Sequence, residues 1–234
     1  RLARCRKQAS PLRRLMRQCG RRYNAMILVT GATGNVGGPL VRLLQQQGRP
    51  VRAAVSTPQS VVRLPDPTMP WAVLDFEDSH TFEPALTGVD RLFLMRPPQM
   101  ADVERSIKPL ISYAWSAGVR HIVFLSLIGA EKNKVVPHAK IEALLQDGPG
   151  AYTLLRAGFF MQNLSTTHRQ DVVEHDDVFI PAGKGKTAFV DVRDLAAVAA
   201  LALTRPGHEN KAYPLTGSQA LDYGEVAAIL SDVL

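Results

Sequence analysis

Cysteine is missing from almost the whole chain. Only Cys5 and Cys19 occur, both within the first 25 residues, so neither a disulfide framework nor a cysteine metal site is expected in the fold. That usage fits a reducing compartment, the cytoplasm. Long apolar runs are missing too. None approaches the ~18 residues of a membrane span; the longest are of strand length, such as Met26–Val29 and Val89–Met95. An integral membrane protein is therefore not expected. Acidic residues are missing from positions 1–25, which hold nine Arg or Lys (Arg1, Arg4, Arg6, Lys7, Arg13, Arg14, Arg17, Arg21 and Arg22). Taking those nine from the total of 28 leaves 19 basic residues against 21 acidic ones, so the body carries a net charge of −2. The body gives no reason to expect nucleic acid or an anionic membrane as a partner.

Residues 1–25 also lack the apolar core of a secretory signal. They read as a tail in one of three ways. One reading is an artefact of the choice of gene start, since Met26 opens the first strand. It could be a basic arm for nucleic acid or acidic partners. Or it could be an organelle transit peptide, against which stands its single serine, Ser10. At the other end, Tyr223–Val233 reads as an amphipathic helix with no stop signal, so the chain is expected to be cut short there.

What is present from Met26 onward is an alternation of strand and helix patterns. The 234 residues allow one domain with a sizeable core, or a large domain with a small cap. Short apolar runs at Met26–Thr30, Val51–Ser56, Trp71–Leu74, Val89–Met95, His121–Ser126 and Ala151–Arg156 read as strands. Between them, helices are expected at Val36–Gln47, Ser79–Leu86, Asp102–Ala117 (with a kink at Pro109) and Lys134–Gln146, plus a helical turn near Gln59–Leu64. This rhythm predicts an α/β doubly wound parallel sheet of the Rossmann type with right-handed crossovers, over residues 26–157. After Gly158 the rhythm changes. A helix start is expected at Phe159–Thr166, strand-like pieces at Asp177–Ile180 and Lys186–Val190, a helix at Asp191–Leu203 and a strand at Lys211–Leu215. Residues 158–234 thus read as a smaller C-terminal part on the substrate side, interleaved with the core.

Thr30-Gly31-Ala32-Thr33-Gly34-Asn35-Val36-Gly37-Gly38 follows a buried strand and opens an apolar-faced helix, the context that a dinucleotide fingerprint requires. Gly31 permits the turn, Gly34 lets a pyrophosphate approach, and Gly37 lets the helix pack close to the strand. Exposed N–H groups of Gly31–Gly37, including those of Thr33, Asn35 and Val36, would meet a phosphate. The alternative is a tight turn without ligand. At the tip of the second strand Ser56, Thr57 and Gln59 are neutral, Arg52 lies inside the strand and Arg63 beyond it. Hydroxyls accept a 2′-phosphate and no acid repels one, which favours NADP over NAD. Asp75 and Phe76 either bracket the adenine or are a capping Asp beside a core Phe.

Those segments, with Phe124-Leu125-Ser126-Leu127-Ile128-Gly129-Ala130, Thr153–Leu164, Phe189–Ala196 and Tyr213-Pro214-Leu215-Thr216-Gly217 in the same order, resemble the NmrA-like atypical short-chain dehydrogenase/reductases over Met26–Leu234. The resemblance implies either an NAD(P)H-dependent reductase of quinone-like or other small conjugated carbonyl compounds, or a redox-sensing regulator that binds the dinucleotide without turnover. The wider superfamily uses a Ser and a Tyr-x-x-x-Lys pair, but none of the five tyrosines here has Lys four residues on. Nucleotide-sugar chemistry is disfavoured for the same reason. Ser126 fits the superfamily's Ser, with His138 at the Tyr position and Glu142 at the Lys position. His138 is then an acid with a pKa near neutrality or a surface residue, and Glu142 part of a relay or a solvated helix residue. By analogy with the family, Phe159, Phe160 and Asn163 face the substrate cleft, where the rings stack a flat substrate or simply pack. The loop Arg96-Pro97-Pro98-Gln99 sits near the cofactor by topology.

Overall fold

The structure, a computed structural model, describes residues 25–177, 180 and 182–233. The basic segment up to Asn24 and the middle two residues of the strand expected at Asp177–Ile180 lie outside the described residues. The described residues form ten strands in chain order: β1 (Met26–Val29), β2 (Val51–Val55), β3 (Trp71–Val73), β4 (Val89–Leu94), β5 (His121–Leu127), β6 (Ala151–Ala157), β7 (Phe159–Phe160), β8 (Thr187–Val190), β9 (Lys211–Leu215) and β10 (Ala220–Leu221). Seven of them form one sheet in the order β3-β2-β1-β4-β5-β6-β9, with every pairing parallel.

Both faces of the central strands of this sheet are buried, which explains why they read as continuous apolar runs. Alternate side chains go to opposite faces. Ile27, Val29, Phe93, Val123 and Leu125 share one core with Leu40, Val41 and Leu44 of α1 (Gly37–Gln46) and with Leu195, Ala199 and Leu203 of α6 (Val192–Thr204). Leu28, Leu92, Leu94, Ile122 and Phe124 face the other core. There they meet α2 (Phe82–Leu86), α3 (Val103–Ser116) and α4 (Pro137–Gln146). Two further helices, α5 (Arg169–His175) and α7 (Tyr223–Val233), lie in the C-terminal part. Among the described residues no helix is long and apolar enough to cross a membrane.

Two expectations change, and one pairing is added. Phe159–Thr166 does not begin a helix. Phe159 and Phe160 form β7, parallel to Phe189–Val190 of β8, and a 3₁₀ turn follows at Met161–Asn163. Consecutive aromatics fit a pleated surface well, and the Gly158 N–H, donating to Leu215 O at 2.9 Å, draws the chain along the sheet. β10 adds antiparallel to β8, completing a small second sheet that the sequence pattern did not reveal. Finally, the helix expected from Lys134 begins at Pro137. Proline suits the first helical turn and forces Val136 into extended backbone. The helix α3 runs on through Pro109.

Candidate functional site

The strand order reverses direction between β1 and β4, and in doubly wound sheets ligands gather at such a point, outside the carboxyl ends of the strands. Here the two ends are tied together. The Met95 N–H donates to Thr30 Oγ1 at 2.7 Å, and the Thr30 hydroxyl donates to Phe93 O at 3.1 Å. The glycine turn then begins. Gly31 has φ +65°, a left-handed conformation that favours glycine. A Cβ on Gly37 would stand 2.2 Å from Gly31 O, so the helix lies directly on the turn. Gly34 is different: its φ is not left-handed, and a Cβ there would be 3.3 Å from Gly31 O, tight but not prohibitive.

Beside this turn lies a hollow of about 260 Å³, lined by Ala32, Thr33, Gly34, Asn35, Gly38, Pro39, Arg42, Arg63 and Pro65. The N-terminus of α1 that borders it has no side-chain cap and no acid in its first turn. An uncapped helix start with a glycine cradle and two guanidinium groups has the donor set that phosphate requires. The residues present therefore fit the diphosphate of a dinucleotide. Asn35 also reaches across to Thr166 Oγ1 at 3.5 Å.

A second cavity of about 400 Å³ adjoins Asn35 and Val36. Its walls are Met95, Arg96 and Pro98 after β4, Leu125, Ser126 and Leu127 of β5, His138 of α4, Ala157 and Gly158, and Phe159, Phe160 and Asn163. The structure thus brings together Ser126, His138, Phe159, Phe160 and Asn163, together with the loop after β4. Phe159 stacks on His168 and meets Phe189 edge-on, with centroids 6.2 and 5.4 Å apart. Other expected residues stand apart from both spaces. Ser56 is exposed at the tip of β2. Phe76 is buried in the core beside α2, and Asp75 accepts the Glu77 N–H at 2.9 Å.

Behind Ser126 is a buried ion pair. The Ser126 hydroxyl donates to Glu142 Oε1 at 2.6 Å, and Arg156 grips both oxygens of Glu142 at 3.1 and 2.6 Å. Glu142 is only 4% exposed, so it is not a solvated helix residue. Glu131 approaches Arg156 at 3.6 Å, and the partners of Arg156 raise its pKa, the hydrogen bond it donates to Glu142 most of all. Strand parity carries the signal for this pair: Arg156 shares its sheet face with Leu154, beneath α4, where an arginine needs an acid.

His138 also differs from expectation. Its ring stacks on Phe124 (centroids 5.9 Å apart), and burial, then the Arg96 charge, push its pKa down to about 4. It is therefore neutral at physiological pH and is not an imidazolium acid. Arg42 and Arg63 were not expected at the phosphate hollow. The 3₁₀ turn Pro58–Arg63 folds Arg63 back toward the glycine loop, which distance along the chain concealed.

A glycine-rich turn under an uncapped helix, at the switch point of a parallel sheet, with a cavity walled in part by Phe159 and Phe160 alongside, defines a Rossmann-fold protein that binds a nicotinamide dinucleotide. The chain belongs to the NmrA-like family, whose model matches residues 23–234. It is 40% identical over 210 residues to an NAD(P)H azoreductase from Xenophilus azovorans, covering 88% of this chain and 73% of the relative. It is 30% identical over 211 residues to quinone oxidoreductase 2 of Escherichia coli (strain K12), covering 88% and 73%. Among solved structures, an NADPH complex of an Escherichia coli NADPH-dependent quinone oxidoreductase superimposes with a TM-score of 0.78 at 30% identity, over 89% of this chain and 75% of that one. The NADP(H) complex of Citrobacter sp. triphenylmethane reductase gives 0.76 at 28% identity, over 89% and 75%.

Proposed function

We propose that this chain is an NADPH-dependent reductase of flat conjugated acceptors, quinone-like or other small conjugated carbonyl compounds. The observation that carries the reading is the adjacency of two spaces, a phosphate cradle at Gly34 and an aromatic-walled cavity, which share Asn35. The named relatives, an azoreductase and a quinone oxidoreductase, support the same chemistry. Bound reduced nicotinamide supplies a hydride, so that quinone, NADPH and one proton give hydroquinone and NADP⁺. The backbone N–H groups at the start of α1 hold the diphosphate. Arg42 and Arg63, with the hydroxyls of Ser56 and Thr57, favour a 2′-phosphate over a bare ribose; Asp75 and Phe76 remain proposed for the adenosine end. Phe159 and Phe160 orient a ring, and Asn163 offers it an amide.

Ser126 spends its one hydrogen on Glu142, so it faces the cavity as an acceptor rather than a donor. With His138 neutral, the proton of the product comes from water. This suits a quinone, whose reduced oxygens are weakly basic, better than a simple ketone. The same lack of a poised acid favours a second reading, an NAD(P)-binding redox sensor that controls a partner protein. Turnover separates the two. Purified chain with NADPH and a naphthoquinone is expected to oxidise NADPH in proportion to acceptor. Tight NADPH binding with no oxidation by quinone or azo acceptors would instead establish the sensor.

A further inference from the structure

Arg96 is anomalous among the cavity walls. Of the described residues lining the cavity it is the only charged one, and no Asp or Glu joins it. It pairs with no carboxylate among the described residues. Its Nη1 donates to three neutral carbonyls of its own loop, Pro97 O, Pro98 O and Met100 O, at 2.8, 2.9 and 2.6 Å. Its Nε is buried without a hydrogen-bond partner, and Nη2 makes no hydrogen bond to the described residues. A guanidinium drawn partly out of water without a counter-charge is unfavourable, because carbonyl dipoles replace only part of its hydration. His138 beside it carries no negative charge either. The polar balance of this cavity is therefore incomplete in one sense only: it lacks an anion.

We propose that Arg96 reads an anionic substituent, a carboxylate or sulfonate, on the aromatic acceptor, so that the enzyme prefers flat acceptors carrying a negative group at one edge. This deepens the reductase reading and rests on it. The anion belongs to the acceptor rather than to the dinucleotide diphosphate because Arg96 lines the cavity of Phe159 and Phe160, whereas the phosphate hollow has its own cations, Arg42 and Arg63. The fork of the guanidinium suits two oxygens of one anion, and apolar walls on Met95, Pro98 and Leu127 suit the ring.

The test compares acceptors that differ only in charge: a naphthoquinone with a propionate side chain against its methyl ester, and a hydroxyazobenzene with a para carboxylate against its methyl ester. For each pair kcat/KM is measured at neutral pH. The acid is expected to be preferred by about tenfold, as for one charge-assisted hydrogen-bonded pair. The ratio should fall to about one in Arg96→Gln, and Arg96→Lys should keep part of it, since the charge stays and the fork is lost. Equal rates in the wild type, or a preference that survives Arg96→Gln, would overturn the proposal. So would a raised KM for NADPH in Arg96→Gln with the acid-to-ester ratio unchanged, which would give the guanidinium to the cofactor. Should Arg96→Gln fail to fold, because Nη1 braces the loop, the wild-type preference must still shrink on adding salt. If neither pair is turned over, the reductase reading fails by itself. Calorimetric titration of the NADP⁺-loaded chain with the same acids and esters then decides the role of Arg96 through binding alone.

Discussion

Gly37 and Gly34 belong to one turn but are glycine for different reasons. At Gly37 an added Cβ would press on backbone that cannot move away, 2.2 Å from Gly31 O and 2.9 Å from Ala32 N. Gly37→Ala is expected to cost about 1–3 kcal/mol in urea denaturation, as overpacking does, and to weaken dinucleotide binding as α1 shifts. Gly34→Val, by contrast, should fold with a melting temperature near that of the wild type and lose NADPH binding, because the new side chain occupies the hollow. The Glu142–Arg156 pair makes a separate prediction. Removing one partner (Glu142→Leu or Arg156→Met) leaves a buried charge alone, which costs about 3–5 kcal/mol, toward the lower end because Arg156 is one-fifth exposed. The double replacement should cost less than either single one, a double-mutant cycle read by urea unfolding. At this scale the glycine motif was legible, because spacing and context are local. The ion pair was not, since it depends on which strand face lies under α4.

Among the elements, the parallel strands were legible because burial on both faces leaves an unbroken apolar run at each. Two-residue strands such as β7 and β10 leave no such run, and their pairing with β8 depends on contacts from distant sequence. This matters for function, because β7 carries Phe159 into the cavity wall. Its ring is held by the stacked His168 and by Phe189 edge-on. Phe159→Ala is expected to raise the KM for a quinone by roughly three- to tenfold, the worth of a lost ring contact, with the KM for NADPH little changed. An equal rise in both would show that β7 props up the dinucleotide site instead. Arg63 teaches the same lesson from the other side of the turn. A 3₁₀ segment returned it to the phosphate hollow, and Arg42→Ala with Arg63→Ala should raise the KM for NADH through the shared diphosphate and that for NADPH more, by about tenfold, through the 2′-phosphate as well.

Over the whole molecule, the two ends of the sheet differ. The carboxyl end of its strands borders the cavity. The opposite end buries His121, 4% exposed, whose Nε2 lies 2.8 Å from Thr153 Oγ1. The Thr153 hydroxyl donates to His208 O at 2.7 Å, so the His121 Nε2–H is the donor in their bond. Burial, then the Arg91 charge, lower the His121 pKa from 6.5 to about 4. The unfolded chain therefore binds this proton first as pH falls. Stability is complete above about pH 6.5 and is lost progressively toward pH 4, by up to about 3 kcal/mol for this one group, at roughly 1.4 kcal/mol per unit. Urea midpoints measured between neutral pH and pH 5 should fall, and His121→Gln should flatten that fall. A midpoint that rose on acidification would contradict the assignment.

The most direct test of the dinucleotide-dependent reading is calorimetric titration of the chain with NADPH, NADH, NADP⁺ and NAD⁺, repeated on Gly34→Val. The expected result is binding of the 2′-phosphorylated forms in preference to the others, NADPH above all, and its loss in a Gly34→Val protein that still melts cooperatively. Binding by none of the four to folded wild-type chain, or binding unchanged by Gly34→Val, would contradict the placement of the cofactor at the glycine turn and the reductase built upon it.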